Sequence, residues 1–171
     1  DHIGAFVFPD ELWWRAIGRI TFPVWFFLVG YSRGRGIGKS LWIYAALLIL
    51  IHPLVGRALF PVNALVTIVF CRWLLNLCTD RGWLPGKLPE IIVACAIFSP
   101  MTMPFFEYGS VAFLYALIGR MVREGIKPYF LRLVGIAYAL FIVWQVISFK
   151  FDMIQHLYVI LGTAGVVAWL A

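Results

Sequence analysis

The sequence predicts an all-α fold, a polytopic bundle of transmembrane helices in a single domain spanning residues 1–171. Three observations predict it. Hydrophobic residues make up 63% of the chain and charged residues only 13%. The mean hydropathy is +0.93. Apolar stretches near the length of a membrane span, roughly 20 residues, recur between short connections rich in Gly, Pro and charge. A soluble domain carries about 25% charged residues, and 171 residues cannot hide so much apolar surface in one water-facing core. Many of the eight tryptophans stand near the ends of the stretches, as in interfacial belts.

Taken in order, the predicted spans are Leu12–Tyr31, Ser40–Leu59, Val62–Cys78, Pro89–Met103, Tyr108–Val122, Tyr129–Phe149 and Ile154–Ala171. They are separated at Pro9-Asp10, Gly34–Gly38, Pro61, Gly82–Pro89, Pro104 and Gly125–Pro128. A stub from Asp1 to Phe8 reads as the end of a further apolar helix whose first half is missing. Connections this short favour antiparallel neighbours.

Alternate connections differ in charge. One group holds Arg33, Arg35, Lys39, Arg81, Lys87, Arg123 and Lys127, with Arg120 and Arg132 beside it; the other holds Asp10, Glu11, Arg57, Glu107, Lys150 and Asp152. Nine basic residues stand against two. The positive-inside rule places the first group, and the C-terminus, in the cytoplasm of a cell whose inner membrane the chain spans. The net charge of +6 is accounted for by these loops rather than by nucleic-acid binding.

On that topology the polar residues of the apolar stretches collect in the outer half. Asp1 and His2 lie about 10 Å in from the end of the stub. Arg15 and Arg19 follow the Pro9–Glu11 turn, four apart on one helix face. Asn63 follows Pro61, Glu107 and Tyr108 open a span, and His156 follows the Lys150–Asp152 turn. Burying ionisable groups in a bilayer is expensive, so such a collection is a candidate site open to the outer face. Each residue also has a plainer reading: Arg15 as a snorkelling cation, Asp1-His2 as a packing pair, His52 as the neighbour of a kink at Pro53. Gly38-Lys39-Ser40 lacks the first glycine and the strand of a phosphate-binding loop. Arg33, Arg35 and Lys39 before a helix start would still attract phosphate. Cys71, Cys78 and Cys95 read as small apolar residues. No GxSxG, HExxH or EF-hand pattern is present, so neither serine hydrolysis nor a metal site is expected.

The segments together resemble the TraX family, integral membrane acyltransferases that acetylate pilin in conjugation. Asp1-His2-Ile3-Gly4 resembles that family's Asp-His segment, and Gly18-Arg19-Ile20-Thr21-Phe22-Pro23 its Gly-Arg-x-x-Phe-Pro motif. Asn63, Glu107-Tyr108-Gly109 and Gln155-His156-Leu157 stand in the order of further family positions. The resemblance implies acetyl-CoA as acyl donor and a pilin-like membrane-associated acceptor. It implies His2 as general base or acyl carrier and Arg19 as charge balance or oxyanion stabiliser, with Asp1 and His156 as the other catalytic candidates. His156, Asn63, Glu107, Tyr108 and Arg15 would orient the acceptor, and Arg33, Arg35 and Lys39 would hold the cofactor phosphates. Two other classes fit the same polar residues: a small proton-coupled carrier, and a non-catalytic partner in pilus or secretion assembly.

Overall fold

Helices occupy the apolar stretches in order. They are α1 (Leu12–Ile20), α2 (Phe22–Tyr31), α3 (Lys39–Leu54), α4 (Ala64–Asp80), α5 (Leu88–Thr102), α6 (Gly109–Glu124), α7 (Phe130–Ser148) and α8 (Met153–Leu170). The computed structural model describes residues 7, 10–54, 56, 59–149 and 151–170. Asp1, His2, Arg57 and Lys150 lie outside the described residues. Among the described residues there is no strand, and one isolated bridge pairs Val62 with Phe106. The fold is all-α.

Helices α1 and α2 abut at Thr21, within the single expected span Leu12–Tyr31. Pro23 accounts for the break, because it cannot donate a hydrogen bond to the Arg19 carbonyl one turn back. The Thr21 hydroxyl instead donates to the Gly18 carbonyl at 2.7 Å. Two of the helices, α7 and α8, are long and apolar enough to cross a membrane; α3 and α5 are apolar but shorter. The expected span over 40–59 stops at Leu54, after Pro53, and Gly56 follows with φ +70°.

Helix α6 is the axis of the bundle. Every residue from Val111 to Met121 is buried, with α2, α4, α5 and α7 around it. Glycines allow its closest approach, to α2. A Cβ added at Gly119 would overlap the Phe27 carbonyl, and one at Gly30 would overlap the Ala116 carbonyl. Small residues at such a crossing let two backbones touch, the packing mode on which helices in lipid depend. Helices α7 and α8 each bury one stripe at a spacing of four: Leu133, Ala137, Phe141 and Gln145 on the first, Gln155, Val159, Thr163 and Val167 on the second. Their other faces expose Leu131, Ile147, Ile154, Leu161 and Trp169.

The connection between α2 and α3 does not cap the bundle as a free loop. It lies along the last turns of α4. Arg35 pairs with Asp80, the Asn76 amide donates to the Arg35 carbonyl at 2.9 Å, and Arg72 donates to the Gly36 carbonyl at 3.0 Å. Arg123 of α6 donates to the Ser32 carbonyl. As a result α3 is shifted along α4, and Ala45, well before its end, faces Asn63. Among the described helices α3 packs on α4 alone, and Leu47, Leu50, Ile51 and Leu54 beyond Ala45 are exposed.

Helices α4 and α5, although consecutive, do not pack on each other. They flank an apolar groove of about 350 Å³ floored by Ser110 and Phe113 of α6, with Cys71, Cys78 and Cys95 in its walls. All three cysteines are free thiols.

Candidate functional site

At one end of the bundle the starts of α1, α4, α6 and α8 meet the end of α7. The bridge between Val62 and Phe106 joins the segments before α4 and α6: Val62 N–H donates to the Phe105 carbonyl at 2.8 Å, and Glu107 N–H to the Val62 carbonyl at 3.2 Å. Trp13 of α1 packs edge-on against Tyr158 of α8 at 5.6 Å.

Arg19 is 8% exposed and lies inside this end. Its guanidinium sits 4.3 Å from the ring centre of Phe149 and 5.2 Å from that of Tyr108. Arg15, one turn earlier, lies 5.3 Å from the same Phe149 ring. Arg15 and Arg19 make further interactions besides these. Phe149 stacks on Phe151 at 5.1 Å, and Phe151 meets the His156 ring edge-on at 5.5 Å. On the other side Tyr108 stacks on Phe22 at 4.1 Å, and Phe22 on Phe141 at 5.0 Å. Four of the expected residues, Arg15, Arg19, Tyr108 and His156, therefore belong to one network, joined by Phe149 and Phe151. A desolvated guanidinium over aromatic faces gains about 2 kcal/mol or more. Its plane keeps N–H donors at the edge, where they can face an oxygen.

Local backbone chemistry sets these positions. Tyr108 has φ +69° and Gly109 φ +49°. A bulky residue in the left-handed region costs roughly 1–2 kcal/mol, and here that conformation puts the Tyr108 ring flat on Phe22. Gly109 admits no side chain: a Cβ would come within 2.9 Å of the Met103 nitrogen. His156 rides on a capped helix start. Gln155 N–H donates to the Asp152 carboxylate at 2.7 Å, and Asp152 N–H donates to the Gln155 side-chain oxygen at 3.2 Å, the reciprocal pair of a capping box.

Asn63 is engaged differently from the role the resemblance implies. Its side-chain oxygen accepts from Leu65 and Val66 N–H at 3.1 and 3.2 Å, and its amide donates to the Ala45 carbonyl at 3.2 Å. It caps α4 and ties α3 to it. Asn63→Ala is expected to lower stability by about 2 kcal/mol, the sum of a lost cap and a lost buried hydrogen bond. Thermal unfolding in detergent checks this, with activity per folded molecule expected to change less than the folded yield. Glu107 is half-buried beside Tyr108. Asp1 and His2 lie outside the described residues.

Arg33, Arg35 and Lys39 are not part of this network. Arg33 and Lys39 are exposed, while Arg35 is paired with Asp80 and helps strap its segment to α4. Nearby, Glu124 accepts from both Arg120 and Arg123, at 2.9 and 2.8 Å. Arg72, in the middle of an apolar stretch, holds this region together, yet the sequence reading did not single it out. An ionisable residue at mid-span was the available signal. Phe149 and Phe151 were also missed, because aromatic residues at span ends are ordinary.

Among the described residues no group of His, Cys, Asp and Glu is placed to hold a metal ion. No protein-family model, no curated protein and no solved structure matches the chain.

Proposed function

We propose that the chain is a multi-pass protein of a bacterial inner membrane and an acyltransferase, passing the acetyl group of acetyl-CoA to an amine at the outer face. The observation that carries this reading is the convergence of Arg15, Arg19, Tyr108 and His156 at one end of the bundle. Membrane placement is supported by α7 and α8 and by apolar side chains exposed around the bundle, a surface whose natural solvent is lipid. With the basic connections facing the cytoplasm, the network faces outward and the C-terminus inward. The resemblance to the TraX family supplies the reaction class and a pilin-like acceptor.

In this reaction the acceptor nitrogen attacks the thioester carbonyl, the C–S bond breaks and CoA leaves as a thiol. His2 takes the amine proton and returns it to the departing CoA sulfur. Arg19, fixed between rings, stabilises the oxyanion of the tetrahedral intermediate. Arg33 and Lys39 meet the CoA phosphates from the other end of the bundle, so the pantetheine arm or the acetyl group must travel between the ends.

The test is acetyl transfer by the full chain in liposomes, from labelled acetyl-CoA to a peptide with a free N-terminus, read by intact mass. The wild-type protein is expected to acetylate the peptide. His2→Ala is expected to lose about 100-fold in rate per inserted molecule, the scale of a lost general base. No transfer by the wild-type protein, or near-normal transfer by His2→Ala, would remove the enzymatic reading or the role of His2 respectively.

A further inference from the structure

Gln145 is buried at 1% exposure, and neither its side-chain nitrogen nor its oxygen has a hydrogen-bond partner. A buried amide with both ends unsatisfied is rare, because it has given up water and gained nothing in return. Gln145 ends the buried stripe of α7, four residues after Phe141 and four before Phe149. Both of those rings touch the candidate site: Phe141 stacks on Phe22, and Phe149 carries Arg15 and Arg19. Gln145 thus stands on the same helix face, between two residues that reach the site. Neither α1 nor α2 packs directly on α7. Among the described residues the links from α1 and α2 to this face are side-chain ones, Phe22 to Phe141 and Arg19 to Phe149.

We infer that Gln145 is a further substrate-holding residue, and that the group it takes presents a donor and an acceptor together, as the N-terminal residue of a peptide does. The amine N–H donates to the Gln145 oxygen, and the first peptide carbonyl accepts from the Gln145 amide. Arg19 then lies on the side where the acyl oxygen gains charge. This rests on the acyltransfer reading with its pilin-like acceptor, and adds to it the residue that holds that acceptor's N-terminal unit. An amide kept unpaired until substrate arrives lowers the stability of the empty protein, as binding residues often do.

The experiment compares the full-length wild-type chain with Gln145→Leu, which is close in size, and Gln145→Glu, which keeps an acceptor. Two quantities are read: the thermal midpoint without ligand, and calorimetric affinity for a triglycine amide with a free N-terminus. Gln145→Leu is expected to raise the midpoint and weaken the peptide roughly tenfold or more. Gln145→Glu is expected to retain part of the affinity. Unchanged peptide affinity in Gln145→Leu, whatever its midpoint, would overturn the assignment, as would absence of peptide binding to the wild-type chain. A Gln145-dependent peptide affinity without any acetyl transfer would keep the inference and remove the enzymatic reading. Acetyl transfer with a KM indifferent to Gln145→Leu would do the reverse.

Discussion

Gly119→Ala should all but abolish folded protein, although it adds one methyl group. The added Cβ would overlap the carbonyl oxygen of Phe27 and lie 2.9 Å from the Tyr31 nitrogen. Both obstacles are main chain, so no rotamer change relieves them and α2 must move away from α6. Helix α6 is buried along nearly its whole length, and a shift at Gly119 disturbs the reciprocal contact at Gly30 and Ala116. Overpacking ordinarily costs about 1–3 kcal/mol; here it also separates the closest helix pair, so about 3 kcal/mol or more is expected. Gly135→Ala is the control, because a Cβ there meets nothing within 4 Å and alanine is the better helix former. The measurement is the monodisperse fraction and thermal midpoint in mild detergent. Equal behaviour of the two variants would show that α2 and α6 do not rely on close backbone contact.

Arg19→Lys is expected to lose acetyl transfer by about 100- to 1,000-fold per inserted molecule, the range for removing one oxyanion donor. Lysine keeps the positive charge but not the plane. It cannot lie flat between Phe149 and Tyr108, and its strongly hydrated ammonium is less suited to a site 8% exposed. A charge-balancing role alone would be satisfied by lysine, so Arg19→Lys and Arg19→Leu separate the two. Equal, large losses in both mark the fixed guanidinium geometry as the working element. Near-full activity in Arg19→Lys would reduce Arg19 to a counter-charge.

The positions of the helices were legible because apolar runs and Pro/Gly breaks are one-dimensional signals. Which faces meet was not. A helix apolar all round has no polar face to reveal its buried side, and neither Gly30 nor Gly119 announces that it marks a crossing. The connection around Gly34–Gly38 reads as a loop by composition. Only the side chains of Arg72, Asn76 and Asp80, distant in sequence, lay it against α4 and shift α3. Arg19, Tyr108 and His156 were legible as expensive polar groups at one depth. Asn63 looked alike in sequence, yet a residue directly before a helix is also the usual cap, and the structure gives it that work. Gln145 was passed over because a polar residue four positions from a span end reads as an ordinary interfacial one.

The left-handed backbone at Tyr108 ties the ring beneath Arg19 to the main chain's geometry as well as to its own side-chain torsions. Two residues earlier, Phe106 is tied to Val62. The elbow before α6 and the connection before α4 therefore behave as one rocker with the Tyr108 ring at its tip. A displacement introduced near Pro61 has a main-chain route toward the aromatic platform of the guanidinium, through the hydrogen bonds of Val62 to Phe105 and Glu107. Residues that never touch a substrate would in this way hold its reaction partner in register, and the tolerance of the 59–62 segment to insertion is set by the far end of that lever.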